Sequence, residues 1–165
     1  MQQIIPYCDI IIGNESEAEA WASATGFPEK DLAAIAKALA TQPKANPARP
    51  RTVVITHGAE STTVVTADDA DNAKIFPVHA LADSEIVDTN GAGDAFAGGF
   101  IGALVAGKSL DEAVEAGHKL GALNVQLVRE PLFGRTLPSS HALHRSVPST
   151  SGLRLRSCKL EASTR

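Results

Sequence analysis

The chain alternates between short runs in which every residue is apolar and longer stretches in which apolar residues recur every three or four positions. Ile10, Ile11 and Ile12 follow Asp9 without a polar interruption, as in a strand covered on both faces. Asn14 then opens a helix, with Glu17 three residues later in capping-box spacing. The spacing predicts a second helix over 31–40, with Leu32, Ile35, Ala36 and Leu39 on one face. Pro43, Pro47 and Pro50 make 42–50 a loop. Residues 52–56 read as another buried strand, and 62–66 pair with it across a turn containing Gly58. Shorter extended pieces are expected at 75–78 and 85–87. Two helices follow, one over 94–106 ended by Gly107 and one over 109–128 opened by a Ser109/Glu112 capping box.

Alternating strands and helices predict an α/β sheet with helices on both faces. Only two strands are convincingly all-apolar, whereas a sheet of this class usually has about five or six strands. The body therefore reads as part of a domain, its opening Ile4 and Ile5 leading into a buried strand with no earlier element beside it.

Composition adds three points. With aromatics at only 4% and hydrophobic residues at 44%, the core must be built from Ala, Val, Ile and Leu. A formal net charge of -4 gives no reason to expect nucleic acid or an acidic membrane surface as partner. No apolar run has the length of a membrane span, and residues 1–9 lack the form of a signal peptide, so a soluble intracellular protein is expected. Cys8 and Cys158 suggest neither a disulfide framework nor a metal-ligand spacing.

The net charge hides a division. Residues 1–132 carry 9 basic and 18 acidic side chains, whereas 133–165 carry 6 basic and 1 acidic. Ser and Arg are prominent in that second segment, which also holds Pro138 and Pro148, lacks apolar periodicity and reads as a disordered tail.

The stretch that bears chemistry is Ile86-Val87-Asp88-Thr89-Asn90-Gly91-Ala92-Gly93-Asp94-Ala95-Phe96. A short extended piece runs into Gly91-Ala92-Gly93 and then into a helix rich in Gly and Ala. Small residues let the backbone amides of Gly91, Ala92 and Gly93 converge, and the helix start adds the positive end of its dipole. Such a turn suits a phosphate. Asp94 would repel that phosphate unless it takes the proton from an attacking hydroxyl. On spacing alone, capping or dipole compensation accounts for Asp94 equally well.

The segment from Asp88 to Phe100 resembles the C-terminal signature of the ribokinase-like (PfkB) carbohydrate kinases. Gly13-Asn14-Glu15-Ser16-Glu17, the Pro43-Lys44 loop before Arg51-Thr52-Val53-Val54-Ile55-Thr56, and Ala116-Gly117-His118-Lys119-Leu120-Gly121-Ala122 narrow the likeness to the adenosine kinase branch. The resemblance spans residues 1–128. It implies the C-terminal, nucleotide-binding portion of a ribokinase-like sheet, occupying 1–132, without the lid and most of the nucleoside pocket. It further implies transfer of the γ-phosphoryl of ATP to the 5'-hydroxyl of adenosine to give AMP, as in purine salvage, with Mg2+ as cofactor. Asp94 would be the catalytic base, and Gly91, Ala92 and Gly93 the anion hole. Asn14 and Glu17 match an Asn-x-x-Glu element that organises the nucleotide and, indirectly, Mg2+. Thr56 and Gly58 would contact phosphates, His118, Ala122 and Val125 would border adenine, and Asp88 would serve a monovalent cation. A monomer at full length, in the cytoplasm and also the nucleus, is the implied setting.

Blander readings stand beside these. Asn14 with Glu17 makes a good capping box, His118 suits a satisfied helix-face histidine, and Ala122 and Val125 suit a core. Gly102 to Ser109 matches a P-loop pattern, but the run before Gly102 is too glycine-rich for a central strand, and Gly107 and Ser109 read as helix caps. After Val128 the family pattern is lost, so 129–165 inherits no role. A catalytically inactive fragment, a nucleotide-binding module, or a kinase for another sugar or nucleoside are the competing classes.

Overall fold

The computed structural model describes residues 3–127 together with the backbone of Ser157–Lys159. The order is β1 (Ile10–Asn14), α1 (Glu15–Thr25), α2 (Leu32–Ala40), β2 (Thr52–His57), β3 (Ser61–Thr66), β4 (Lys74–Pro77), α3 (Ala92–Val105), α4 (Leu110–Gln126) and β5 (Ser157–Lys159). The strands form one sheet in the order β4-β3-β2-β1-β5. β1 lies parallel to β2 and to β5, while β2, β3 and β4 are antiparallel neighbours. Three residues of the segment 133–165, expected to be a disordered tail, thus stand as a strand beside β1; the rest of that segment lies outside the described residues.

Alternation along the strands divides the core in two. Ile11, Val53, Ile55 and Val65 face α1 and α2, where Trp21, Ile35 and Leu39 cover them. Ile10, Ile12, Val54 and Val64 face the opposite way, against Phe96 and Phe100 of α3 and Val114 of α4. Because successive strand residues point to opposite faces, an all-apolar strand of this kind must be covered on both.

The helix starts expected from sequence are present. The Asn14 side chain accepts the Glu17 N–H and the Glu17 carboxylate accepts the Asn14 N–H, both at 2.9 Å. Asp31 caps α2 through the Ala34 N–H at 2.9 Å. At α4 the Ser109 amide and hydroxyl donate to Glu112, and with Lys108 beside it they hold the Glu112 carboxyl down to about 2.

Two expectations need correction. Residues 85–87 are not a strand: Asp83–Glu85 is a single 3-10 turn, and the amides of Val87 and Asp88 donate to the Val125 carbonyl at 3.0 and 3.1 Å. The apolar pair Ile86-Val87 mimics a strand locally, but its backbone partner is a helix end. Helix α3 also begins at Ala92 rather than 94, so Ala92 and Gly93 lie inside its first turn. The P-loop pattern is excluded: Gly102 to Val105 is helical, Gly107 takes φ 80° after the helix, and Ser109 caps the next one.

Close packing of α3 on α4 accounts for the small residues. A Cβ at Gly99 would lie 2.7 Å from the Ala116 carbonyl oxygen, and one at Gly117 would lie 2.7 Å from the Phe96 ring. Arg51, which the sequence marks only as a charge before a strand, is wholly buried. Its guanidinium donates to the carbonyls of Ile5, Cys8, Leu39, Ala40, Gln42 and Pro43 at 2.8 to 3.4 Å. It thus ties the start of the chain to the end of α2 and the proline-rich loop.

Candidate active site

Pairing places the carboxyl ends of β1 and β2 side by side, with Asn14 opposite Thr56. Thr56 is in turn opposite Thr62 of β3. The Thr62 hydroxyl meets His118 Nε2 of α4 at 2.9 Å. One level spanning the sheet therefore holds Asn14, Thr56, Thr62 and His118. Nearer the other end of β1, Asp111 at the start of α4 meets Lys74 at 2.8 Å, and Lys74 is opposite Val64. Between Asp111 and His118, α4 thus runs in the same sense as β1 and β2, and its final turns project past their carboxyl ends.

Helix α3 packs antiparallel on it, so the start of α3 lies at that same end. Phe96 contacts Gly117, the Ala92 carbonyl lies against Gly121, and Asn124 reaches Asn90. Crevices outside the carboxyl ends of parallel strands are where α/β sheets bind ligands. The turn that enters α3 is closely specified. Asp88 accepts the Asn90 N–H at 2.8 Å, the Asn124 side-chain amide donates to the Asn90 carbonyl at 2.9 Å, and Gly91 adopts φ 79°. That left-handed backbone favours glycine. The Ala92 N–H closes the turn on the Thr89 carbonyl at 3.3 Å. Gly93 and Asp94 follow in the first helical turn, both exposed, where amides lack intrahelical acceptors and the dipole favours an anion.

The remaining residues take up particular places. Asn14 and Glu17 bond each other in the capping box at the mouth of β1. The Thr56 hydroxyl donates to the Gly13 carbonyl at 3.4 Å, and Gly58 forms the exposed β2–β3 turn at φ 49°. His118 is half-buried, with its ring 5.6 Å from that of Phe96. Burial, and next the neighbouring His79, lower its pKa from 6.5 and favour the neutral ring. Ala122 is half-buried on α4, and Val125 acts through its carbonyl, which holds Val87 and Asp88. The Asp88 carboxylate is engaged in its own turn. Among the described residues no cluster of three His, Cys, Asp or Glu could hold a metal by itself. A divalent ion here would need phosphate oxygens as ligands beside Glu17, as Mg2+ in phosphoryl transfer commonly has. Sequence reading missed Asn124, whose role depends on a loop 34 residues away.

The pfkB family carbohydrate kinase pattern matches residues 1–129. The chain is 64% identical over 129 residues to an adenosine kinase of Schizophyllum commune, covering 78% of this chain and 38% of that protein. It superposes on the Anopheles gambiae adenosine kinase in complex with P1,P4-di(adenosine-5) tetraphosphate with a TM-score of 0.73 at 39% identity, over 76% of this chain and 36% of that one. Ribokinase from Thermotoga maritima matches with a TM-score of 0.66 at 27% identity, over 78% and 39% of the two chains. The chain thus spans little more than a third of the length of these relatives. Its sheet, its glycine turn before α3 and the agreement along residues 1–129 make it a member of the pfkB carbohydrate kinase family, with the ribokinase-like fold.

Proposed function

We propose that this chain is the nucleotide-binding and catalytic portion of a kinase that transfers the γ-phosphoryl of ATP to the 5'-hydroxyl of adenosine, giving AMP and ADP. The observation that carries the reading is the turn from Asp88 to Asp94, with left-handed Gly91 opening α3 at the carboxyl ends of β1 and β2. Of the expected anion hole Gly91-Ala92-Gly93, the Ala92 N–H is taken by the Thr89 carbonyl, so the phosphoryl group would lie against the Gly91 and Gly93 amides, the helix end stabilising its charge. Asp94, in the first turn of α3, would orient the acceptor hydroxyl and take its proton. Phosphoryl transfer needs little beyond positioning and charge stabilisation. Mg2+, carried on the nucleotide and approached by Glu17, would neutralise charge on the phosphates when bound. His118, Ala122 and Val125 form the flank suited to a purine, Thr56 and Gly58 the flank suited to phosphates, and Asp88 the cation position.

The acceptor is supported by the relatives' names and by the Anopheles ligand, which carries an adenosine at each end of one polyphosphate. That is the chemistry of a donor nucleotide facing an adenosine acceptor. A full-length monomer working in cytoplasm and nucleus completes the proposal. Because the chain matches only 38% of the Schizophyllum enzyme, acceptor positioning worth roughly 7 to 11 kcal/mol of barrier is assigned to the remainder. The test places residues 1–129 into that enzyme in place of their counterpart. The chimera is expected to form AMP from adenosine and ATP, and the 165-residue chain by itself only background. A folded chimera without AMP formation contradicts the proposal.

A further inference from the structure

Three successive residues in the last turn of α4 grip the segment that leads into α3. Asn124 donates its side-chain amide to the Asn90 carbonyl at 2.9 Å, the Val125 carbonyl accepts the amides of Val87 and Asp88, and Gln126 donates to Glu85 at 3.2 Å. Of these contacts, the one made by Asn124 acts on the peptide unit adjoining Gly91. No cis peptide bond occurs among the described residues, and in a trans unit the C=O and the next N–H point in opposite directions. Holding the Asn90 oxygen toward α4 therefore turns the Gly91 N–H away from α4. Gly91, at φ 79°, is the pivot about which that peptide could otherwise rotate. The Asp88 carboxylate bonds the Asn90 N–H at 2.8 Å and fixes the preceding unit, but does not touch this one.

We propose that Asn124 is the positioning residue of the anion-binding turn: its amide fixes the Asn90–Gly91 peptide so that the Gly91 N–H faces the phosphoryl site. This rests on the phosphate-binding reading above. Asn124 touches neither nucleotide nor acceptor in this account and acts only through the peptide.

The chemistry predicts an order among variants that packing alone does not. Asn124→Leu removes the donor to the Asn90 carbonyl and so loosens the hold on this peptide. Asn124→Asp sets a carboxylate against the Asn90 carbonyl and favours the reversed peptide, in which the Gly91 N–H bonds the carboxylate and leaves the phosphate. Helix propensity differs little enough between these residues for α4 to persist, which far-ultraviolet circular dichroism checks.

The test is a backbone amide spectrum of the 15N-labelled 165-residue chain and its two variants, without and then with MgATP. Without nucleotide, the Gly91 amide resonance is expected to move in both variants, further in Asn124→Asp, while amides of β2 stay in place. On titration, MgATP affinity should fall about tenfold or more in Asn124→Asp, the usual worth of a hydrogen bond to a charged group, and less in Asn124→Leu. An unmoved Gly91 resonance in both variants, or equal affinities across the three proteins, overturns the positioning role. If the wild-type chain itself shows no MgATP response, the functional reading fails, and the nucleotide-free Gly91 resonances still decide whether Asn124 sets the peptide.

Discussion

His118 shows how one side chain can be both structural tie and candidate ligand contact. Its ring bonds Thr62, lies tilted against that of Phe96 and is half-buried, and burial lowers its pKa from 6.5. The unfolded chain therefore takes up the proton first, so the stability this group contributes is full above the unfolded value and is lost as pH falls through the folded one. The carboxyls of Asp71, Glu112 and Glu115 are held below their ordinary values of 3.8 to 4.5 and titrate lower still. Urea midpoints measured at about pH 7.5 and about pH 5.5 are expected to drop more in the wild-type chain than in His118→Gln; equal drops would show that His118 does not carry the dependence. Capping pairs such as Asn14/Glu17 and Ser109/Glu112 were legible in sequence because donor and acceptor lie three residues apart. Arg51 was not, since each carbonyl it holds belongs to a segment brought close only by folding.

Among the elements, α3 tests whether its glycines have separate roles. Gly98 has open space where a Cβ would go, whereas at Gly99 that Cβ would lie 2.7 Å from the backbone oxygen of Ala116. Gly98→Ala is expected to stabilise the chain by about 0.5 to 1 kcal/mol through lost unfolded-state freedom. Gly99→Ala should destabilise it by about 1 to 3 kcal/mol, because helix backbone cannot yield as a flexible side chain does. Denaturant unfolding of the two neighbouring variants reads both signs, and matching effects would contradict a helix contact confined to one face. Both buried strands and the four helices could be read from periodicity, which is a property of neighbours in sequence. Residues 85–87 could not, because their backbone partner, the Val125 carbonyl, lies far along the chain.

For the whole molecule, the sheet brings a loop, two strand ends and two antiparallel helices to one edge, and that convergence could not be read from spacing. The glycine turn with Asp94 was readable because it is contiguous; its place at the carboxyl ends of β1 and β2 comes from contacts distant in sequence, the packing of Phe96, Phe100 and Val114 on the sheet and the Thr62–His118 bond. The functional account turns on whether Asp94 moves a proton or only belongs to a helix start. Asp94 is the third residue of α3, whose N-cap is Gly91 without a side-chain cap bond, so the capping role open in the sequence does not apply. What is left besides the proton is a charge at the helix start, and Asn keeps the side-chain shape there but cannot act as the base. The deciding measurement is turnover and MgATP affinity of the Schizophyllum chimera carrying Asp94→Asn. The account predicts a turnover loss of about 10² to 10⁴-fold, with MgATP affinity unchanged or slightly tighter because a carboxylate beside the phosphates is gone. Near-normal turnover would contradict it.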